Sequence, residues 1–197
     1  MNRYIDRPNQ PGNLLIVCGF SGSGKSTLVR HALDVFSGNL QYMNTFTTRP
    51  RREGEDDIEY TFVDPAQYAH IKSEAAAWDE SQIYGNYYGL DPSRYITELE
   101  QGQNFIVCGA PDVTVVNPMI NLYGSDVVST IHVTTNKQVS AERLAARNIA
   151  RDLSRVAADA IMLENGFEPD FIFDPSGDLA RDKDKFTNLV EEIIYER

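Results

Sequence analysis

The stretch that decides the fold lies near the amino terminus and reads Gly19-Phe20-Ser21-Gly22-Ser23-Gly24-Lys25-Ser26. It follows a short apolar run, Leu14 to Cys18, and it opens a segment from Lys25 to Phe36 with apolar residues at helical spacing. The stretch satisfies the pattern GxxxxGK[ST] in the strand, loop and helix context that the pattern requires. We therefore predict a loop whose backbone N–H groups hold phosphate oxygens at the start of a helix.

Two side chains of this loop have predicted chemical roles. Lys25 is expected to bridge the β- and γ-phosphates of a nucleoside triphosphate, and the Ser26 hydroxyl is expected to ligate Mg²⁺. The predicted ATP- and phosphate-binding residues are Gly19, Ser21, Gly22, Ser23, Gly24, Lys25, Ser26 and Thr27. A small GTPase is disfavoured, because the start of an NKxD motif at 136–138 is followed by Val139 and not by an aspartate.

Strand and helix signals alternate along the rest of the chain. Apolar runs predict strands at 104–108, 127–133 and 171–173, and N-cap residues followed by proline predict helices after Asp64 and Asp91. This alternation predicts an α/β fold with a parallel sheet flanked by helices. The stretch from about Met43 to Tyr88 differs, with short strands predicted at 60–63 and 83–88, and we interpret it as an insertion on the core.

Composition sets the broad class. The chain has 197 residues, 42% of them hydrophobic and 24% charged, and a formal net charge of −11, so one soluble domain, or two small ones, is expected. No apolar run is long enough for a membrane span or a secretory signal, so a cytoplasmic location is expected. The negative charge predicts no nucleic-acid or membrane partner. Cys18 and Cys108 are expected to be buried thiols, and the three histidines lack metal-ligand spacing.

A basic cluster stands out in this acidic chain. Arg49, Arg51 and Arg52 occupy three of four consecutive positions, with threonines before them and tyrosines after them. Guanidinium groups bind phosphate through two parallel hydrogen bonds, and hydroxyls complete such sites. The alternative is a solvated loop in which the arginines pair with the acids at 53–57, and charge alone leaves both interpretations open.

Four segments, in this order, resemble the guanylate kinase family at nearly the family's spacing: GFSGSGKST, TFTTRPRREGEDDIEYTFVD, YGNYYG and AERLAARN. The resemblance extends from about Asn13 to Glu192. It implies a single P-loop domain with a core at about 12–42, 102–140 and 160–197, an acceptor-binding insert at about 43–92 and a short lid at about 143–158. It also implies a kinase, a monomer or homodimer, that uses MgATP to phosphorylate a nucleoside monophosphate, preferably GMP or dGMP.

The resemblance also implies roles for individual residues. The acceptor-binding residues fall on Thr45, Arg49, Arg52, Tyr60, Asp79 and Tyr88, and the catalytic residues on Lys25, Arg147 and Arg155. The base-recognising acid falls on Asp79, or on Glu80 if the loop is shifted by one residue.

The chain departs from the family at several positions. Cys108-Gly109-Ala110 replaces an Asp-x-Asp sequence, and Leu90 replaces a hydroxyl that contacts the base. A related kinase with another acceptor, either another nucleotide or ribose bisphosphate, is therefore the alternative. A non-catalytic binding module is a third hypothesis, which the intact P-loop disfavours.

Overall fold

The computed structural model describes residues 10–19, 22–83, 85–109, 113–134, 168–175 and 177–196. Its strands are β1 Leu14–Cys18, β2 Leu40–Tyr42, β3 Thr45–Thr47, β4 Tyr60–Phe62, β5 Asp79–Ile83, β6 Asn86–Leu90, β7 Asn104–Cys108, β8 Val128–Val133 and β9 Phe171–Phe173. Its helices are α1 Lys25–Val35, α2 Pro65–Glu74, α3 Ile96–Glu100, α4 Val113–Tyr123 and α5 Leu179–Glu196, with a 3₁₀ turn at Pro92–Tyr95 before α3.

Five parallel strands form the core sheet in the order β2-β7-β1-β8-β9. The first strand, β1, lies in the middle, and all five of its residues are 0% exposed. It pairs with β7 on one side and β8 on the other, so Val17 lies beside Cys108 and Cys18 lies beside His132. The predicted α/β fold with a helix-flanked parallel sheet is confirmed, and the loop that follows β1 leaves the sheet from its centre.

Helices cover both faces of this sheet. Leu15 and Val17 belong to an apolar cluster with α1 and α5, whereas Leu14 and Ile16 belong to a second cluster with α3 and α4. Side chains of a strand alternate between its two faces, which is why a continuous apolar run is needed here. Burying each such side chain contributes roughly 1.5–3 kcal/mol, so both clusters hold β1 in place.

A second sheet comes entirely from residues 45–90, in the order β4-β3-β6-β5. Strands β5 and β6 form an antiparallel hairpin, with Ile83 paired with Asn86. The prediction of one strand from Ile83 to Tyr88 is wrong, because the chain turns at Gly85, whose φ is 75°. Gly85-Asn86 is a turn signal, but isoleucine and tyrosines, which favour strands, precede and follow it and gave the impression of one strand.

Helix α2 begins at the predicted capping box. The Asp64 carboxylate accepts hydrogen bonds from the N–H groups of Ala66 and Gln67, and the Gln67 side chain accepts one from the Asp64 N–H. The helix predicted after Asp91 is also present, as the 3₁₀ turn followed by α3. The strands predicted at 60–63, 104–108, 127–133 and 171–173 agree with the structure to within one residue.

Candidate active site

The glycine-rich loop follows β1 directly, and its first residue passes close to β8. A Cβ atom on Gly19, whose φ is 142°, would lie 2.3 Å from the Val133 carbonyl oxygen, so only glycine fits there. Gly24 is the N-cap of α1, and Ser23 before it is 1% exposed. The loop is therefore held at the amino end of a helix, whose partial positive charge favours anions.

The Lys25 ammonium group lies over this loop. Its Nζ donates a hydrogen bond to the Gly19 carbonyl oxygen at 2.5 Å and lies 3.5 Å from Ser23 Oγ. Burial, and then the charge of Lys25, lower the pKa of His132 at the neighbouring strand end. A cation is thus present where the loop would hold phosphate oxygens. Ser21 lies outside the described residues.

Several predicted acceptor residues share one face of the second sheet. Thr45 pairs with Tyr60 across β3 and β4, and Thr47 pairs with Tyr88 across β3 and β6. Residues paired across neighbouring strands point to the same face. The Tyr60 and Tyr88 rings meet edge to face with their centroids 5.9 Å apart. We call the face that carries Thr45, Tyr60 and Tyr88 the acceptor face.

Arg49 covers the acceptor face. Its guanidinium lies 5.3 Å from the centre of the Tyr60 ring, and its side chain is only 8% exposed. It donates two hydrogen bonds to Glu55, at 2.9 and 2.8 Å. Burial opposes the charge of Arg49, but these contacts with Glu55 raise its pKa overall. A buried, oriented guanidinium of this kind suits a phosphate monoester.

The loop acids pair with the arginines, as the alternative interpretation of the cluster expected. Arg52 donates its backbone N–H to the Glu55 carboxylate at 2.8 Å, and Arg51 pairs with Asp57. The two interpretations are compatible, since one carboxylate contacts both Arg49 and Arg52. A phosphate group that arrived here would compete with Glu55 for the same donors.

The two candidate base-recognising acids lie on opposite faces of β5. Asp79 and Ser81 alternate with Glu80, and Ser81 pairs with Tyr88, so Asp79 is on the acceptor face. Glu80 lies on the side of α2, where its carboxylate accepts hydrogen bonds from Tyr68 Oη at 3.0 Å, Lys72 Nζ at 2.9 Å and Trp78 Nε1 at 3.3 Å. Burial works against the ionised form of Glu80, but these donors lower its pKa overall. The geometry therefore favours Asp79 over Glu80 for a base-recognising role.

Two positions that depart from the family lie near these elements. Leu90 pairs with Asp79 across the hairpin and is buried, so an apolar side chain adjoins that acid. Cys108 ends β7, and its N–H donates to Tyr42 Oη at 3.0 Å. Burial raises the pKa of Cys108 to about 12 and that of Cys18 to about 11, and both are free thiols. Ala110 lies outside the described residues.

The predicted lid, at about 143–158, also lies outside the described residues. The two catalytic arginines assigned to it, Arg147 and Arg155, therefore stay predictions. In the part of the chain that the structure describes, no helix is long and apolar enough to cross a membrane, and no three His, Cys, Asp or Glu side chains cluster as metal ligands.

Sequence reasoning missed two charged residues beside the P-loop. The Ser26 hydroxyl donates to Glu59 Oε2 at 3.1 Å, and Arg30 Nε donates to Glu59 Oε1 at 3.0 Å. Ser26 and Glu59 are 33 positions apart, so no local spacing connects them. The only available signal was the position of Glu59 directly before Tyr60, one of the predicted acceptor residues.

A glycine-rich loop between the central strand and its helix, on a sheet of this order, defines a P-loop nucleotide-binding protein. A sequence model of the family described as guanylate kinase matches residues 11–107. A guanylate kinase of Symbiobacterium thermophilum is 32% identical over 187 residues, covering 88% of this chain and 82% of that protein. A guanylate kinase of Syntrophotalea carbinolica is 35% identical over 97 residues, covering 49% of this chain and 46% of that protein.

The crystal structure of guanylate kinase from Anaplasma phagocytophilum has the same fold, with a TM-score of 0.69, 17% identity and coverage of 94% of this chain and 88% of that one. The chain belongs to the guanylate kinase family, and it is an ATP-dependent nucleoside monophosphate kinase. The family match ends at residue 107, directly before the departure at Cys108.

Proposed function

We propose that this kinase transfers the γ-phosphoryl group of ATP to GMP or dGMP and forms the corresponding diphosphate. The observation that carries the proposal is the acceptor face, where Arg49 lies over Tyr60 beside Tyr88. That grouping matches the residues that the family resemblance implies for the acceptor phosphate. Asp79 on the same face offers a carboxylate for the N–H groups of guanine.

In the proposed mechanism the protein positions the two substrates and neutralises charge, because phosphoryl transfer passes through a loose transition state. The P-loop N–H groups and Lys25 hold the phosphates of ATP, and Arg49 and Arg52 hold the phosphate of the acceptor. Arg147 and Arg155 are proposed to contact the transferring group when the lid closes and excludes water.

The residues beside the P-loop fit a magnesium ion. The Ser26 hydroxyl lies next to a carboxylate oxygen, and Mg²⁺ prefers such hard oxygen ligands. Ser26 would hold the ion, which supplies positive charge to the β- and γ-phosphate oxygens when bound.

A second candidate acceptor keeps the same chemistry. Asp79 lies beside Leu90 and not beside a hydroxyl, and Cys108 stands where the family has a carboxylate. Fewer polar groups would then distinguish guanine from other bases, so the acceptor could instead be another nucleotide or ribose bisphosphate. The intact P-loop lysine argues against a non-catalytic module. We place the reaction in the cytoplasm, with ATP and a nucleoside monophosphate as substrates, no nucleic-acid or membrane partner, and a monomeric or homodimeric enzyme.

One coupled assay of ADP release tests this proposal. The purified chain is mixed with MgATP and, in separate reactions, with GMP, dGMP, AMP, UMP, CMP or ribose bisphosphate. We expect the highest kcat/KM with GMP or dGMP. A higher kcat/KM with ribose bisphosphate than with GMP or dGMP would show that ribose bisphosphate is the acceptor. ATP binding without turnover of any acceptor would favour a binding module.

A further inference from the structure

Glu59 joins the second sheet to the P-loop helix. It lies directly before β4, and its carbonyl oxygen accepts a hydrogen bond from the Thr45 N–H at 3.1 Å. Glu59 is only 7% exposed. Its carboxylate reaches α1, where the Ser26 hydroxyl lies 3.1 Å from Glu59 Oε2. A buried carboxylate is therefore held against the hydroxyl that is expected to ligate Mg²⁺.

Arg30 fixes the orientation of this carboxylate. Its Nε donates to Glu59 Oε1 at 3.0 Å, while its terminal nitrogens bind both carboxylate oxygens of Asp56. The two oxygens of Glu59 thus have different partners: one contacts Arg30 and the other faces Ser26. Partners of this kind orient metal ligands and tune their affinity.

The end of the core strand β7 lies close to the same carboxylate. Cys108 is the last residue of β7 and pairs with Val17 beside the P-loop. After burial, the negative charge of Glu59 is the next largest cause of the raised pKa of Cys108. The residue before β4 therefore brings a carboxylate into the region where β7 ends in a thiol.

We infer that Glu59 binds the Mg²⁺ of MgATP together with Ser26. Ligands of Mg²⁺ lie at about 2.0–2.1 Å in an octahedron, so adjacent ligand oxygens are about 2.9 Å apart. The 3.1 Å between Ser26 Oγ and Glu59 Oε2 nearly matches that spacing. This inference rests on the proposed ATP site and adds a metal ligand that lies outside the core strands.

The test compares ADP binding with and without Mg²⁺, by calorimetry, in the wild type and in Glu59→Gln. With Mg²⁺, we expect Glu59→Gln to bind ADP at least about tenfold more weakly, because a metal ligand is lost. Without Mg²⁺, we expect equal or tighter binding, because a negative charge near the phosphates has been removed. Paramagnetic resonance of Mn²⁺ with ADP should show the same loss in metal affinity.

A purely structural role for Glu59 would give a different result. If Glu59 only attached the second sheet to α1, its substitution would weaken ADP binding equally with and without Mg²⁺, and this result would overturn the inference. Asp56→Asn is the matched control, because it removes the other partner of Arg30 and leaves Glu59 beside Ser26. We expect Asp56→Asn to change the ratio of ADP affinities with and without Mg²⁺ by less than about threefold. A decrease in this ratio as large as that of Glu59→Gln would contradict the inference.

Further outcomes keep the two proposals separate. If Glu59→Gln does not fold, Glu59→Asp is measured in the same way, and an unchanged effect of Mg²⁺ on ADP affinity would overturn the inference. If the wild type binds ADP in the presence of Mg²⁺ but phosphorylates no nucleotide, the proposed function is overturned. The inference that Glu59 is a metal ligand is unaffected by that result. A wild type that binds no ADP would overturn both.

Discussion

Lys25 is held by its own loop, and its side chain contacts Gly19 and Ser23. We predict that Lys25→Ala lowers kcat by at least about a hundredfold, because a donor aimed at transition-state charge is lost. Circular dichroism should show the fold unchanged. Lys185→Ala, which removes the same charge from an exposed position on α5, is the control and should keep full activity. An active, folded Lys25→Ala protein would exclude this lysine from the mechanism.

Arg49 and Arg51 test the acceptor phosphate site as a matched pair. Arg49 is buried over the acceptor face, whereas Arg51 is exposed and pairs with Asp57. We predict that Arg49→Ala raises the KM for GMP about ten- to a hundredfold, since a charge-assisted contact is worth about 1.5–3 kcal/mol. The KM of Arg49→Ala for ATP should change much less, and so should the KM of Arg51→Ala for GMP. Equal losses for ATP and GMP would contradict the assignment of the two sites.

Substitutions of Asp79 and Glu80 distinguish an acid that recognises the base from an acid that only makes structural contacts. We predict that Asp79→Asn lowers the ratio of kcat/KM for GMP over AMP by an amount equivalent to about 1–3 kcal/mol, because the amide has one acceptor oxygen fewer and adds a donor. Glu80→Gln should leave the ratio unchanged, because Glu80 is bound to Tyr68 and Lys72 on the opposite face. Steady-state kinetics with both acceptors measure the ratio. If it is unchanged in Asp79→Asn, this acid does not recognise the base.

Part of the candidate site could be predicted from the sequence. The P-loop is one continuous segment whose chemistry is local, and the family resemblance assigned Tyr60 and Tyr88, which the structure brings together. The choice between Asp79 and Glu80 needed strand register, because a shift of one residue changes the face. Glu59 could not be found, since its contact with Ser26 depends on how two distant elements pack.

Helix α2 lies behind the acceptor face, and its start depends on Asp64. We predict that Asp64→Ala lowers the free energy of unfolding by about 1 kcal/mol, within roughly 0.5–2, because two N–H groups lose their cap. Asp64 is exposed, so the change leaves no cavity. Urea denaturation measures the loss. Gln67→Ala should cost less, since it removes only the return hydrogen bond, and a larger loss there would contradict the assignment of the cap.

Elements were predictable where local chemistry determines them. Strands β1 and β7 are apolar because neighbouring strands and helices surround them, and α2 begins at a complete capping box. The hairpin of β5 and β6 was missed although Gly85-Asn86 is a turn signal, because isoleucine and tyrosines on both sides of it were interpreted as one strand. The three-residue strands β2 and β3 were also missed, since so short a segment shows no periodicity.

For the molecule as a whole, distant charges connect the two sheets. Arg30 on α1 binds Asp56 and Glu59, which belong to the segment before β4. The formal net charge of −11 does not reveal this arrangement, because a sum of charges does not say which of them the fold brings together. Composition therefore predicts the class of protein but not how its parts join.

His132 gives the whole molecule a predictable dependence on pH. It is buried on β8 beside Cys18, and burial followed by the charge of Lys25 lowers its pKa from 6.5. Below that pH the unfolded chain binds a proton that the folded chain does not yet bind. The free energy of unfolding should therefore fall as the pH falls from about 6.5 towards the lowered pKa, by up to about 1.4 kcal/mol per pH unit from this group.

The measurement is urea denaturation at a series of pH values across that window. His132→Gln should lose this part of the slope, because glutamine does not titrate, even if its stability is lower at every pH. His70→Gln is the control, since the side chain of His70 is 71% exposed, and it should keep the wild-type slope. If His132→Gln shows the same slope as the wild type, then His132 binds its proton equally well in the folded and unfolded chains, and other groups determine the loss of stability in acid.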